Sequence, residues 1–369
     1  MFDYQMRVRR DIERWTREGL IDARTADLLD RDVGSRQTAG ASFGSVLAIM
    51  AAILLGASIL IFVAANWEGI PRIARVLGLF ALIATSYVGG AVLKQRDHPG
   101  FGEALFVLGA VAFGGSIALI GQMYHFAGDE TEAILIWCAG TMVAAIGLRS
   151  PVLTNASVII AVVWLLMREF DYPSTGHPHG FLLLGAASWA ISYWTRSRAA
   201  RHLLVLSAIL YAFLYGIDGR QMEMGVALVV VSAIVFAAAL WAGDAVERLA
   251  QLGGPYPAHP LIGFMVGMSM IQVEVYDQFG PMLLTTLVAF AGIVAALVLR
   301  GRESALMRWI AYAAFTVELC LAYVITVGTM MDTAGLFLFS GLALAAVAFI
   351  ISRIERRLGA RPVVAGRVA

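Results

Sequence analysis

Glu318 stands between Val317 and Leu319 in the middle of a long apolar run, and it is the carboxyl whose setting most calls for a chemical explanation. A charge at the centre of a bilayer costs at least about 2.5–3.5 kcal/mol on insertion scales. Such a residue is expected to face a bundle interior, protonated or paired with a polar group, as a ligand site or as a satisfied structural carboxyl. Glu274 lies near the outer end of another apolar run, close to Gln272 and Asp277, where it either holds a ligand or reaches the interface.

The segment Gly121-Gln122-Met123-Tyr124-His125-Phe126-Ala127-Gly128-Asp129-Glu130-Thr131-Glu132 gathers an amide, a phenol, an imidazole and three carboxylates without a basic residue. Gln122, Tyr124, His125, Asp129 and Glu132 are therefore candidate ligand-binding residues, for a cation, a polar ligand or a proton relay. Imidazole titrates near neutrality, so this cluster could also respond to external acidity. A solvated loop that topology keeps free of Lys and Arg explains it equally well. Asn66 and Trp67 open a second polar connection, Asn66-Trp67-Glu68-Gly69-Ile70-Pro71-Arg72. A ligand role for Asn66 competes there with an interfacial elbow, in which Trp67 sits at the headgroup level and Pro71 starts a helix.

Other candidates are weaker. Glu103 opens an apolar run, where a helix N-terminus favours a carboxylate. His177 and His179 form a His-x-His with no Cys or second His pair to complete a metal set. No phosphate-binding loop, dinucleotide turn, zinc-protease helix or nucleophile elbow appears. The sequence thus supplies no catalytic residue, no metal site and no cofactor motif.

The elements that must position these groups are apolar helices. Sixty per cent of the 369 residues are apolar and 14% charged, against roughly 25% charged in soluble domains. Twelve apolar spans are expected, at about 43–65, 76–93, 104–120, 133–148, 152–167, 181–194, 203–217, 225–242, 261–275, 281–299, 309–328 and 334–352. The fold class is an all-α polytopic membrane protein. The fourth to seventh and ninth spans fall short of the roughly 20 residues a bilayer requires and must borrow flanking residues. Ala52/Gly56, Ala110/Gly114 and Gly263/Gly267 recur at the four-residue spacing that allows close helix approach. Cys138 and Cys320 read as small packing residues inside spans.

Charge sets the expected orientation. Of 27 basic residues, 23 fall on one side of the scheme, and only Arg72, Arg75, Arg168 and Arg220 fall on the other. That segregation predicts cytoplasmic N- and C-termini. The arginines form no patch suited to nucleic acid. The bilayer is the expected partner, and a homo-oligomer is left open.

Residues 1–40 read as a cytoplasmic helical hairpin. Ile12 and Trp15 share a face of the first helix, Gly19 ends it, and Asp22 caps a second helix running to about Arg31. A hairpin this small is expected to dock, so a protein partner on the Trp15 face is anticipated. The remainder divides into membrane regions at 41–150 and 151–352 and a basic tail at 353–369.

Three patterns together resemble the prokaryotic membrane-protein family known as domain of unknown function 2157. They are Trp15-x-x-x-Gly19-Leu20-Ile21 with Ala26 and Leu29, the elbow Ala64-Ala65-Asn66-Trp67-x-x-Ile70-Pro71-x-x-x-Arg75, and Gly121-Gln122-Met123-Tyr124-His125 with Gly128-Asp129. The resemblance covers roughly residues 8–150. It implies a multi-span bacterial inner-membrane protein with a cytoplasmic N-terminal hairpin, and it brings no substrate or reaction.

Three functions are compatible with these features. A permease-like transporter of a small solute or ion is favoured, on the intramembrane carboxyls and the span count. A non-transporting sensor, assembly or envelope-homeostasis protein acting through the hairpin is the alternative. A membrane enzyme with acid–base chemistry on His125, Asp129 and Glu132 ranks last.

Overall fold

A computed structural model describes residues 11–35, 43–65, 71–124, 129–171, 178–217, 219–253, 258–301, 304–327 and 341, and the described residues are all-helical. The chain divides into two units, 1–128 and 129–369.

The first unit opens with the expected hairpin. Helix α1 covers residues 11–17, and Gly19 follows it at φ +71°, the left-handed conformation that costs glycine least. Helix α2 spans Ala23–Ser35, and Asp22 caps it by accepting from the Thr25 backbone N–H at 3.3 Å and from the Thr25 hydroxyl. Ile12 is buried, whereas Leu20 and Leu28 are exposed. Three apolar helices follow: α3 (Phe43–Ala65), α4 (Arg72–Gln95) and α5 (Pro99–Met123). Helix α5 packs against both others. Its inner face buries Ala104 and Leu108 against Ala52 of α3, at the small-residue position anticipated from the sequence. On its other side Gly90 and Gly102 bring α4 and α5 to backbone contact.

The second unit holds α6 (Glu130–Leu148), α7 (Pro151–Asp171), α8 (Gly180–Trp194), α9 (Arg198–Ile217), α10 (Gln221–Trp241), α11 (Gly243–Ala250), α12 (Ala258–Glu274), α13 (Phe279–Arg300) and α14 (Ala305–Val327). Short spans were extended by capping residues and by helix starts the hydropathy pattern hides. Asp129 caps α6 through the Thr131 N–H at 2.8 Å. Ser150 accepts from the Leu153 N–H at 3.1 Å ahead of Pro151, which opens α7. Helices α10 and α12 lie closest together. A Cβ on Gly267 would stand 2.7 Å from the Gly225 carbonyl oxygen, and one on Gly263 would stand 2.5 Å from Ser232 Oγ. The Gly263/Gly267 spacing is therefore a helix-contact motif.

Helices occupy the positions of the first eleven expected spans. Among the described residues, seven are long and apolar enough to cross a membrane by length and composition: α4, α5, α6, α7, α9, α10 and α13. Helices α8 and α12, with 15 and 17 residues, are shorter than a bilayer core. The expected twelfth span at 334–352 and the basic tail lie outside the described residues. Helix α11 was not anticipated. Its eight residues alternate Asp244 and Arg248 with Val246 and Ala250, a short amphipathic pattern masked by the neighbouring span.

Candidate functional site: a buried carboxyl–amide pair

Helical stripes carry the site. On α14, Met307, Ala311 and Glu318 recur on one face and are all buried, while Val317 beside Glu318 is 62% exposed. On α12, Leu261, Met268 and Gln272 form the matching stripe. At one end the two stripes meet in an apolar cluster of Ala258, Leu261, Met307 and Ala311 with Ile293 and Ala296 of α13. Eleven residues further along each helix, about 16 Å by helical rise, they meet again at Gln272 and Glu318. Equal offsets mean that α12 and α14 run parallel and in register, which is how a 46-residue separation in sequence becomes a contact.

At that second meeting Gln272 Nε2–H donates to Glu318 Oε1 over 2.5 Å. Both side chains are buried, Gln272 completely and Glu318 to 2% exposure. Gln272 Oε1 is buried and has no hydrogen-bond partner among the described residues. A buried amide oxygen without a donor costs roughly 1–3 kcal/mol. Thr286 is buried on the stripe of α13 that also carries Met282, Ala289 and Ile293, which places a hydroxyl on the third helix of this group.

The remaining sequence candidates are placed as follows. Glu274, two residues beyond Gln272, is exposed on the far side of α12 and does not join the pair. Asp129 is engaged as a helix cap, and its other oxygen lies 3.2 Å from Arg168 Nη1, which also reaches Thr131 Oγ1 at 3.3 Å. One of the four basic residues on the minority side of the charge scheme thus closes the start of α6 onto the end of α7. Gln122 is exposed in the last turn of α5, Tyr124 is exposed just after it, and Glu132 is exposed in the first turn of α6. His125, Asn66 and Trp67 lie outside the described residues, as does His177. His179 Nδ1 lies 2.8 Å from Tyr211 Oη, so this histidine belongs to a helix-end aromatic group with Tyr215. Glu103, read from sequence as a residue suited to a helix N-terminus, instead accepts from Lys94 Nζ at 2.5 Å.

Sequence reasoning missed a polar cluster where α11 turns into α12. Arg201 donates to the Ala250 carbonyl at 3.3 Å and to Gln251 Oε1 at 3.2 Å, and Tyr193 Oη donates to the Leu249 carbonyl. His202 Nδ1 and His259 Nε2 lie 3.2 Å apart with their rings stacked, and His202 Nε2 lies 3.1 Å from the Leu252 carbonyl oxygen. Each partner is about fifty residues from the other in sequence, and no local spacing signals the grouping. Among the described residues no three of His, Cys, Asp and Glu converge as a metal set.

Apolar helices of membrane-crossing length, small-residue helix contacts and a buried carboxyl–amide pair define a polytopic helical membrane protein. Residues 13–154 match the family described as predicted membrane protein, domain of unknown function 2157. This is the family its hairpin, elbow and loop motifs resemble. The match ends four residues into α7, so the Glu318–Gln272 pair lies beyond it. No curated protein and no solved structure matches the chain.

Proposed function

We propose that this is a permease-like membrane protein whose exchangeable site is the Glu318–Gln272 pair, loaded by a proton or a small cation. The observation that carries this reading is the orphaned Gln272 Oε1 beside a buried carboxyl. A proton on Glu318 supplies the donor that the amide oxygen lacks. A bare cation satisfies the amide oxygen and the carboxylate together. Either species is bound by differential satisfaction of the same two groups, which is what a transport site must do to load and release. Residues 121–132, which include Gln122, Tyr124, His125, Asp129 and Glu132, together with Asn66, Trp67 and Glu274, would serve as outer contacts for cargo.

The accompanying topology has twelve spans in a bacterial inner membrane with both termini cytoplasmic. Lys94, Arg149, Arg196, Arg201 and Arg300 support it, all falling in or beside helix ends assigned to the cytoplasmic side. Reporter fusions at 121–132 are expected to read outside, and those at 196–201 inside.

Reconstitution into proteoliposomes with a panel of ions and small solutes under an imposed pH gradient tests the transport reading. Glu318→Gln is expected to abolish gradient-dependent flux while leaving the protein folded. Unchanged flux of every solute in Glu318→Gln would remove the pair from the mechanism.

Exposed Leu20 and Leu28 on the hairpin favour a second reading, a non-transporting sensor or assembly protein that docks a partner there. Deletion of residues 1–36 would then lose a co-purifying protein. Retention of function and of all partners would count against it.

A further inference from the structure

The α8–α12 region contains an apolar cavity of about 450 Å³, inside the roughly 300–1,000 Å³ range typical of small-molecule sites. Its wall on α10 runs from Met224 to Val235, eleven residues or about 16 Å of helical rise. Met224 lies in the first turn of α10, at the end away from α11, so the cavity extends along most of α10 from there to α11. Val231 and Val235 line it yet remain 57% and 41% exposed. Its open side therefore lies on the lipid-facing surface of α10, beside exposed Val230 and Ile234.

One end differs chemically from the rest. There α11 closes the cavity with Val246 and Ala250, and Leu252 and His259 line it beside them. Helix α11 has the features of an interfacial helix: Trp241 before it and Leu249 on it are 87% and 79% exposed, while Asp244 and Arg248 are exposed charges. The Arg198 guanidinium lies against Gly253, the residue after Leu252, where a Cβ would stand 2.7 Å from its Cζ. Arg198 is exposed and has no acidic partner among the described residues. The acidic neighbour Glu247 accepts the Gly253 N–H at 2.7 Å.

We propose that this cavity is a binding site for an anionic phospholipid of the leaflet on the α11 side. One acyl chain lies along α10, and the headgroup phosphate is held at Arg198 beside His259. The occupant follows from lateral opening and charge together. A soluble ligand would have to enter past the apolar α10 face, whereas a lipid is already in position. A guanidinium at the interface end favours a net-negative headgroup over phosphatidylcholine, whose phosphate is offset by a quaternary ammonium. The site holds for either orientation of the chain and does not depend on the Glu318–Gln272 reading.

Native mass spectrometry of the full chain, released from detergent and titrated with phosphatidylglycerol or phosphatidylcholine, tests this. The wild type is expected to keep one phosphatidylglycerol at collision energies that strip all other lipid. Ala227→Phe and Ala208→Phe, both at exposed positions lining the cavity, are expected to lower its occupancy by at least about fivefold. Arg198→Gln is expected to bring phosphatidylglycerol down to the phosphatidylcholine level. Leu284→Phe, on an exposed face of α13, should retain the lipid. Equal occupancy in all variants would overturn the site, and equal retention of both lipids by the wild type would overturn the headgroup assignment. A second measurement does not depend on the folding of cavity variants. In nanodiscs with brominated-chain phosphatidylglycerol, the Trp189 emission component, obtained by difference from Trp189→Phe, should be quenched. An unquenched Trp189 would overturn the proposal.

Discussion

Gly90 and Gly102 hold α4 and α5 at backbone distance: a Cβ on Gly90 would stand 2.8 Å from the Gly102 oxygen, and one on Gly102 would stand 2.7 Å from the Gly90 oxygen. Main chain, which cannot rotate aside, blocks both positions, and at Gly90 the Phe106 ring also stands at 2.6 Å. Gly90→Ala and Gly102→Ala are therefore each expected to destabilise the first unit by about 1–3 kcal/mol, the usual cost of overpacking. Gly78→Ala, on the same helix with open space around it, should be neutral or slightly stabilising. Thermal unfolding midpoints in detergent check the contrast, and equal midpoints for Gly90→Ala and Gly78→Ala would contradict it.

Lys94 and Glu103 form an ion pair on the same two helices, with side-chain exposures of 32% and 11%. Because the carboxylate is the more buried partner, Lys94→Ala, which strands it, should cost about 1–2 kcal/mol, and Glu103→Ala less, since the more exposed ammonium can rehydrate. A double-mutant cycle on unfolding free energy should give a positive coupling. Strict additivity would show that the contact contributes nothing.

Asp129 combines a cap with an ion pair, and substitutions can separate the two. Asp129→Ala is expected to cost about 1 kcal/mol through the lost cap. Asp129→Ser keeps an acceptor for the Thr131 N–H and should recover most of that, while Arg168→Gln should cost less than Asp129→Ala. If Asp129→Ser behaves like alanine, the Arg168 contact is the larger contributor.

Asp22 gives a pH dependence. Hydrogen bonding from the Thr25 side chain is the largest cause holding its carboxyl below the usual carboxylate range. A depressed folded-state value means that the cap stabilises α2 above the unfolded value, near about 3.9, and is lost as pH falls through the lower folded value. In a chain labelled selectively at threonine, the Thr25 amide resonance should shift through that acidic window. Asp22→Asn should flatten the titration.

Sequence legibility followed the range of the interactions. The hairpin, with Gly19 as stop and Asp22 as cap, is governed by neighbours three or four residues apart, and it was readable. Helix positions in the membrane were readable too, because desolvation of the backbone in lipid forces long apolar helices. The second helix nevertheless runs to Ser35 rather than Arg31. Glu318 was legible as an anomaly, whereas Gln272 was not legible as its partner, because an amide near a span end is unremarkable until α12 and α14 are in register. Helix α11 was hidden by its length, and the His202–His259 contact by its separation in sequence. Glu103 was misread for a related reason: its helix-start position suggested a sufficient local explanation, and the lysine that engages it sits on the preceding helix.

Lys94 is the sole lysine of the chain, and it is the residue drawn against Glu103 and, at 5.5 Å, over the ring of Phe106. Its ammonium must leave that carboxylate before it can act as a nucleophile toward an acylating reagent. Side-chain amine labelling of this protein is thus a one-site measurement, and its rate reports how often the Lys94–Glu103 pair opens. Reagents that ordinarily decorate a surface would here act as a clock for a single helix contact.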